Sequence, residues 1–403
     1  MSVVIVGGSV AGISTARALR DHGYGGAVTV LEAEHRPPYD KPPLSKEMLR
    51  APCPQPVPLL TPNELVTLDI DLRLGVTATG LEPARKVVRT TSGEVGYSTL
   101  VVATGSRPRT LSGAEVLTGV YTLRCADDAV ALHAELPTAR HLVIIGGGFI
   151  GSEIASAATQ HTCRITIIEA QRAPLCHVLG AEVGTQIADL HRSQEVEVFS
   201  GHQVHRFIGD TRIEGVVMAD GTELRADLVV VGVGALPATD WLRDSGLPLA
   251  NGIICDENLR VEGYLDLYAV GDAACRHHPL YAEPLRIEHW TNAGEHGRIA
   301  AATITGGTPP TPQLPYVWTD LYGRRLQIVG RPALGRVAAQ FGSMADGAYV
   351  AIYADESGVA VGAFVADHPG SLMACRRAIL AHSLANEIDV RLQPVADTAP
   401  HDT

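Results

Sequence analysis

The chain lacks the features that would place it in several large functional classes. Its seven cysteines (Cys53, Cys125, Cys163, Cys176, Cys255, Cys275 and Cys375) are scattered and odd in number. They fit reduced thiols in a cytoplasmic protein rather than a disulfide framework. No Cys/His spacing suits a zinc site, so no metal is expected, and the 16 histidines read as surface or core residues. No Gly-x-Ser-x-Gly elbow supports serine hydrolysis. No uncharged apolar run reaches the roughly 18 residues of a membrane span. The first apolar strand begins at Val3, so no signal peptide is expected. Positive charge is also in deficit: 32 Lys and Arg against 44 Asp and Glu give a net charge of −12. That argues against bulk nucleic-acid binding but leaves room for a local basic patch, because contact fields are short-ranged.

What is present is a glycine loop, twice. Val3-Val4-Ile5-Val6 runs into Gly7-Gly8-Ser9-Val10-Ala11-Gly12, and Val28-Thr29-Val30-Leu31 ends in Glu32. Leu142-Val143-Ile144-Ile145 runs into Gly146-Gly147-Gly148-Phe149-Ile150-Gly151, and Ile165-Thr166-Ile167-Ile168 ends in Glu169. Each is a strand, a loop, a helix and a second strand with an acid about twenty residues past the loop. Glycines there let backbone N–H groups approach a pyrophosphate, and the helix dipole adds attraction. The acid suits ribose hydroxyls, and Glu169 favours the free 2′-hydroxyl of NADH over the phosphate of NADPH. The first loop departs from the pattern at its middle position, Ser9. With 46% hydrophobic residues over 403 positions, two or three domains are expected, of α/β class.

Between the units lies a proline-dense stretch, from Pro37 and Pro38 through Pro42 and Pro43 to Pro62. Proline fixes φ and removes a donor, so a stiff loop is expected, opening a short helix at Ser45. Leu100-Val101-Val102 reads as a buried strand ending in Ala103-Thr104-Gly105, and Leu267-Tyr268-Ala269 as another ending in Gly271-Asp272. An acid at a strand's C-terminal end suits a polyol hydroxyl. Beyond Pro309 the pattern changes to strands near 326–329, 348–353 and 359–365, with one helix after Pro369.

At these residues the chain resembles the FAD-dependent NADH:ferredoxin reductases of bacterial oxygenase systems, the putidaredoxin- and rubredoxin-reductase type within the glutathione-reductase structural class. The resemblance covers nearly the whole chain. Besides the two loops, it is carried by Tyr39-Asp40-Lys41-Pro42-Pro43-Leu44-Ser45-Lys46, Ala103-Thr104-Gly105, residues 232–237, Val270-Gly271-Asp272-Ala273, Glu288-His289-Trp290 and Trp318-Thr319-Asp320. The family usually has arginine at the position of Lys41, so a cation remains but not a fork.

The resemblance implies two Rossmann-like domains and a C-terminal α+β domain. The FAD domain would comprise 1–110 and 237–312, the NAD domain 111–236, and the last domain 313–403. It implies FAD contacts from Gly7, Ser9, Ala11, Gly12, Glu32, Lys41, Lys46, Ala103, Thr104, Gly105, Gly271, Asp272 and Trp290. NADH contacts would come from Gly146, Gly148, Ile150, Gly151, Glu169 and Gly234. Lys46 and Glu153 would be the catalytic pair beside the flavin. Disulfide reductases of this class carry Cys-x4-Cys facing the flavin. The corresponding segment here has no cysteine, and no two of the seven have that spacing. Electrons are therefore expected to pass to an external [2Fe–2S] ferredoxin that serves a cytochrome P450 or a ring-hydroxylating oxygenase. Rubredoxin is the alternative carrier. An NADH-responsive flavoprotein like apoptosis-inducing factor is the alternative of another class. The oligomeric expectation is a monomer or weak homodimer. Arg324-Arg325, Arg331, Arg336 and Arg376-Arg377 are candidates for the face that meets an acidic ferredoxin.

Overall fold

The computed structural model describes residues 2–392, so the last part of the expected C-terminal domain, 393–403, lies outside the described residues. The chain divides into two compact units, each assembled from three separate segments.

The first unit comprises Met1–Pro43, Gln55–Arg107 and Ala235–Gln313. Its centre is a five-stranded parallel sheet in the order Leu267–Ala269, Thr99–Val102, Ser2–Val6, Ala27–Glu32, Ile70–Leu74. Near-continuous Val, Ile and Leu in these strands is what a sheet covered on both faces requires. Val3, Ile5, Val30, Leu100, Val101 and Val102 are fully buried. Helix Val10–Asp21 packs against helix Trp290–Thr305. The contact is close enough that a Cβ on Gly297 would stand 2.7 Å from the backbone nitrogen of Thr15.

The second unit comprises Leu44–Pro54, Pro108–Gly234 and Leu314–Thr403. It repeats the same plan. A parallel sheet runs Glu197–Ser200, Arg164–Glu169, His141–Ile145, Leu228–Val231, Val120–Tyr121. In both units the strand beside the acid-bearing one, Ile70–Leu74 in the first and Glu197–Ser200 in the second, is followed by a three-stranded antiparallel meander (Ala78–Glu82, Val87–Thr90, Gly93–Gly96; Val204–Ile208, Gly215–Met218, Glu223–Arg225) before the chain re-enters the parallel sheet. The repeat is thus far longer than the two loops from which it was read.

A separate antiparallel sheet follows, ordered Tyr316–Leu321, Arg324–Gly330, Ala360–Ala366, Tyr349–Ala354, Arg336–Gly342, with helix Pro369–Leu380 against it. Its apolar face shares a core with helix Cys176–Arg192 through Leu179, Val183, Ile187, Leu326, Tyr349 and Phe364. That helix was not foreseen: it is broken at Gly180 (φ 75°, ψ 170°), which interrupts its apolar period. The helix expected at Ser45 is two short pieces, a 3₁₀ turn at Pro42–Ser45 and a helical turn at Glu47–Arg50. No helix among the described residues is long and apolar enough to cross a membrane.

His191, fully buried, joins this architecture. Its Nδ1 pairs with the Tyr322 hydroxyl at 2.6 Å and its Nε2 with the Ser152 hydroxyl at 3.1 Å. Burial first, then Arg192, pushes its pKa down from 6.5 to about 4. The folded state therefore keeps the ring neutral where the unfolded chain takes up a proton. The stability this preserves is complete above pH 6.5 and is lost as pH falls towards 4. Urea unfolding of this unit should weaken across that window, and His191→Gln should remove up to about 1.4 kcal/mol per pH unit of the slope.

Candidate functional site: two dinucleotide cradles and a buried ion pair

Each glycine loop is dictated by where a side chain has no room. Gly7 has φ +109°, and a Cβ there would lie 2.3 Å from the Ala103 carbonyl oxygen. On Gly12 it would lie 1.9 Å from the Gly7 oxygen. In the second unit Gly146 has φ +106° with a Cβ site 2.3 Å from the Gly232 oxygen, and on Gly151 a Cβ would lie 2.0 Å from the Gly146 oxygen. Around Gly148 nothing stands within 4 Å of a Cβ position, so that face of the loop is open.

Helices Val10–Asp21 and Phe149–Ala158 begin at Ser9 and Gly148 with no side-chain cap and no acid in the first turn. Their leading N–H groups are left for an anion. Ile150 is 43% exposed in that first turn.

The two acids are held alike. Glu32 accepts from the Gly8 N–H at 2.6 Å and the Glu34 N–H at 2.9 Å. Glu169 accepts from the Gly147 N–H at 2.7 Å and the Gln171 N–H at 2.6 Å. Each carboxylate thus fastens its own loop and stands fixed at the strand end, with lone pairs to spare for further donors.

In the first unit each of the other expected residues is fixed by a neighbour. Gly271 (φ +64°) approaches Ala11 so closely that a Cβ would meet the Ala11 methyl at 2.9 Å. The Gly271 N–H donates to His296 Nδ1 at 3.2 Å, and the Ser106 hydroxyl holds Asp272 at 2.8 Å. His296 is buried, and burial first, then Arg276 and His278, keeps it neutral and able to accept. Thr104 donates to the Ala238 carbonyl at 2.8 Å, and Ala238 N–H donates to Gly105 at 2.9 Å. Lys41 pairs with Glu34 at 2.8 Å and lies 4.4 Å from the Tyr39 ring centroid. Trp290 Nε1 donates to Asp40 at 2.6 Å. His289, just before that tryptophan, has a buried Nδ1 with no partner among the described residues and a pKa pushed down to about 4 by burial, against the pull of Asp272. An orphaned imidazole nitrogen, the uncapped helix and the glycine cradle together fit a bound flavin nucleotide.

In the second unit the Gly234 carbonyl (φ +97°) accepts from Arg109 N–H at 2.9 Å. Lys46 falls in this unit. Its Nζ lies 2.8 Å from Glu153 Oε2, and the two residues are 7% and 3% exposed. Ser45 and Thr319 hydroxyls also donate to Glu153, at 2.5 Å to Oε2 and 2.7 Å to Oε1. Two charges this deeply withdrawn persist only when paired and hydrogen-bonded.

Residues 1–297 match the model of the pyridine nucleotide-disulphide oxidoreductases. The chain belongs to that family. Among pyridine nucleotide-disulphide oxidoreductase relatives, terpredoxin reductase of a Pseudomonas species is 34% identical over 94% of this chain and 92% of its own. The ferredoxin–NAD(+) reductase component of a biphenyl dioxygenase system, from Paraburkholderia xenovorans, is 34% identical over 82% and 81%. The crystal structure of a ferredoxin reductase from Rhodopseudomonas palustris superimposes with a TM-score of 0.91 at 29% identity, covering 96% and 97%. The fold is the α/β arrangement expected, with two Rossmann-like sheets, and family membership implies FAD and NAD(H).

Despite the disulphide in the family's name, all seven cysteines are free thiols, and none lies in Pro42–Ser45. Five supporting residues escaped the sequence reading: Ser45, Ser106, His191, His296 and Thr319. Each meets its partner across a long stretch of chain, and only Ser45 and Thr319 lay inside motifs already singled out.

The steric reading has a direct test. Gly151→Ala should lose NADH binding in fluorescence titration and destabilise the second unit by about 1–3 kcal/mol or more, because its methyl would meet backbone, which cannot step aside.

Proposed function

We propose that the protein is an FAD-dependent NADH:ferredoxin reductase that supplies single electrons to a [2Fe–2S] ferredoxin, and through it to a cytochrome P450 or ring-hydroxylating oxygenase in the cytoplasm. The observation that carries this reading is the pair of matched cradles in one chain whose seven cysteines are free thiols and absent from Pro42–Ser45. Bound FAD supplies the conversion between a two-electron donor and one-electron acceptors.

The chain's own residues bind and orient. The amides of Ser9, Ala11 and Gly12 would receive the FAD pyrophosphate, with Gly7, whose own N–H donates to Leu31, leaving the room for it and Glu32 on the ribose. Asp272, held by Ser106, takes ribityl hydroxyls. Lys41, Thr104 and Trp290 complete that site, alongside Ala103, Gly105 and Gly271. Gly146, Gly148, Ile150, Gly151 and Gly234 line the NADH site, with Glu169 on the adenosine ribose. Lys46 Nζ is held at a fixed place by Glu153, 2.8 Å away, in a dry setting. Within the second unit we keep a division into a nucleotide-binding domain and a C-terminal α+β domain.

Stopped-flow mixing with NADH, followed by a ferredoxin or a rubredoxin, tests the reading. Flavin absorbance should bleach with NADH and recover with the ferredoxin. Recovery with rubredoxin alone would identify that carrier instead, and a preparation bleached only by dithionite would end the case.

Two of the docking candidates, Arg324 and Arg325, are held differently. Arg324 pairs with Asp367 at 2.7 Å and donates to the Met344 and Gly347 carbonyls, so it fastens the C-terminal sheet. Arg325 is half-exposed, 5.3 Å above the Trp318 ring and 3.8 Å from Asp320. Arg325→Glu should raise KM for ferredoxin about tenfold and spare ferricyanide reduction. Arg324→Glu should lower stability instead.

A further inference from the structure

Glu153 has two oxygens and they are served differently. Oε2 receives Ser45 and Lys46, whereas Oε1 receives Thr319. Thr319 is 2% exposed and lies in strand Tyr316–Leu321, where Thr319 and Leu321 point inward and Tyr316, Trp318 and Asp320 do not. The strand's height against helix Phe149–Ala158 is fixed by the turn that follows. Tyr322 and Gly323 both have positive φ, 54° and 79°, the geometry of a two-residue hairpin turn that permits a single register. Leu321 thereby pairs with Arg324, and Thr319 with Leu326.

Tyr322 is then bolted to the helix twice. Its N–H donates to the Ser156 hydroxyl at 2.7 Å, and its hydroxyl reaches Ser152 through His191. Positions 152 and 156 are one turn apart on a helix and flank 153. With the hairpin tip held at both, the residue three places back arrives at the carboxylate.

We propose that Thr319 is a positioning residue: it holds Oε1 of Glu153 so that Oε2 stays turned to Lys46, and the Tyr322 turn with its Ser152–His191–Ser156 anchorage is the brace that puts it there. This rests on the assignment of the Lys46–Glu153 pair to the flavin reaction. A buried carboxylate oxygen that loses its one donor binds a proton more readily, since burial is no longer offset.

The test uses Thr319→Val, which keeps the shape and removes only the donor, in the FAD-loaded protein. Two quantities are followed against pH: the rate of flavin bleaching by NADH, and the flavin midpoint potential. The acid limb of the rate profile, and the bend in the potential, should both move up by roughly one pH unit. Thr319→Ser should restore both. Thr319→Ala is the second donor-free variant, held to the same criterion if the valine protein does not fold. Glu153→Gln separates the two claims. If it abolishes the limb while the Thr319 variants superimpose on the parent, the brace is wrong and the Glu153 assignment stands. If Glu153→Gln itself leaves both profiles unmoved, the assignment falls and the brace with it.

Discussion

A carboxylate taken out of water must find donors for both oxygens. Glu153 draws them from two places: the Ser45–Lys46 segment and the C-terminal strand bearing Thr319. An unpaired charge at that depth would cost several kcal/mol, so the route of the chain around it is constrained. The excursion Leu44–Pro54 belongs to the second unit for this reason, with Leu49 in that unit's core and Arg50 on Ser156 supporting the same face. The C-terminal sheet is bound to the nucleotide fold by the same residues and by the leucines of helix Cys176–Arg192.

The two cradles obey a second constraint, purely steric. Wherever the loop backbone passes over the carbonyl of a neighbouring strand end, at Ala103 and at Gly232, only glycine fits. The acid one strand over closes each loop through an N–H, so a residue expected to serve a ligand also builds the place where that ligand sits. Family resemblance and local physics therefore converge on the same positions for the same reason.

Those parts were legible in the sequence because their requirements are local: an apolar strand, a glycine where a helix starts, an acid one strand on. What was hidden lies across distance. Thr319 and Glu153 are 166 positions apart, as are Ser106 and Asp272, and no spacing rule joins them. Arg324 and Arg325 are neighbours in sequence with opposite fates, because adjacent strand residues face opposite ways. One is consumed by carbonyls and Asp367, and the other lies over Trp318. The helix Cys176–Arg192 escaped because Gly180 breaks its rhythm.

The interleaved order of segments also bears on synthesis. The first parallel sheet is missing its last strand until Leu267–Ala269 leaves the ribosome, whereas the second is complete at Leu228–Val231. Strand Thr99–Val102 thus waits with an open edge while the whole intervening nucleotide fold is made, on the order of ten seconds at ordinary translation rates. An apolar parallel strand with its edge unpaired invites other chains. The nascent protein therefore matures out of order, inner copy before outer, and its most vulnerable moment falls midway through translation, not at its end.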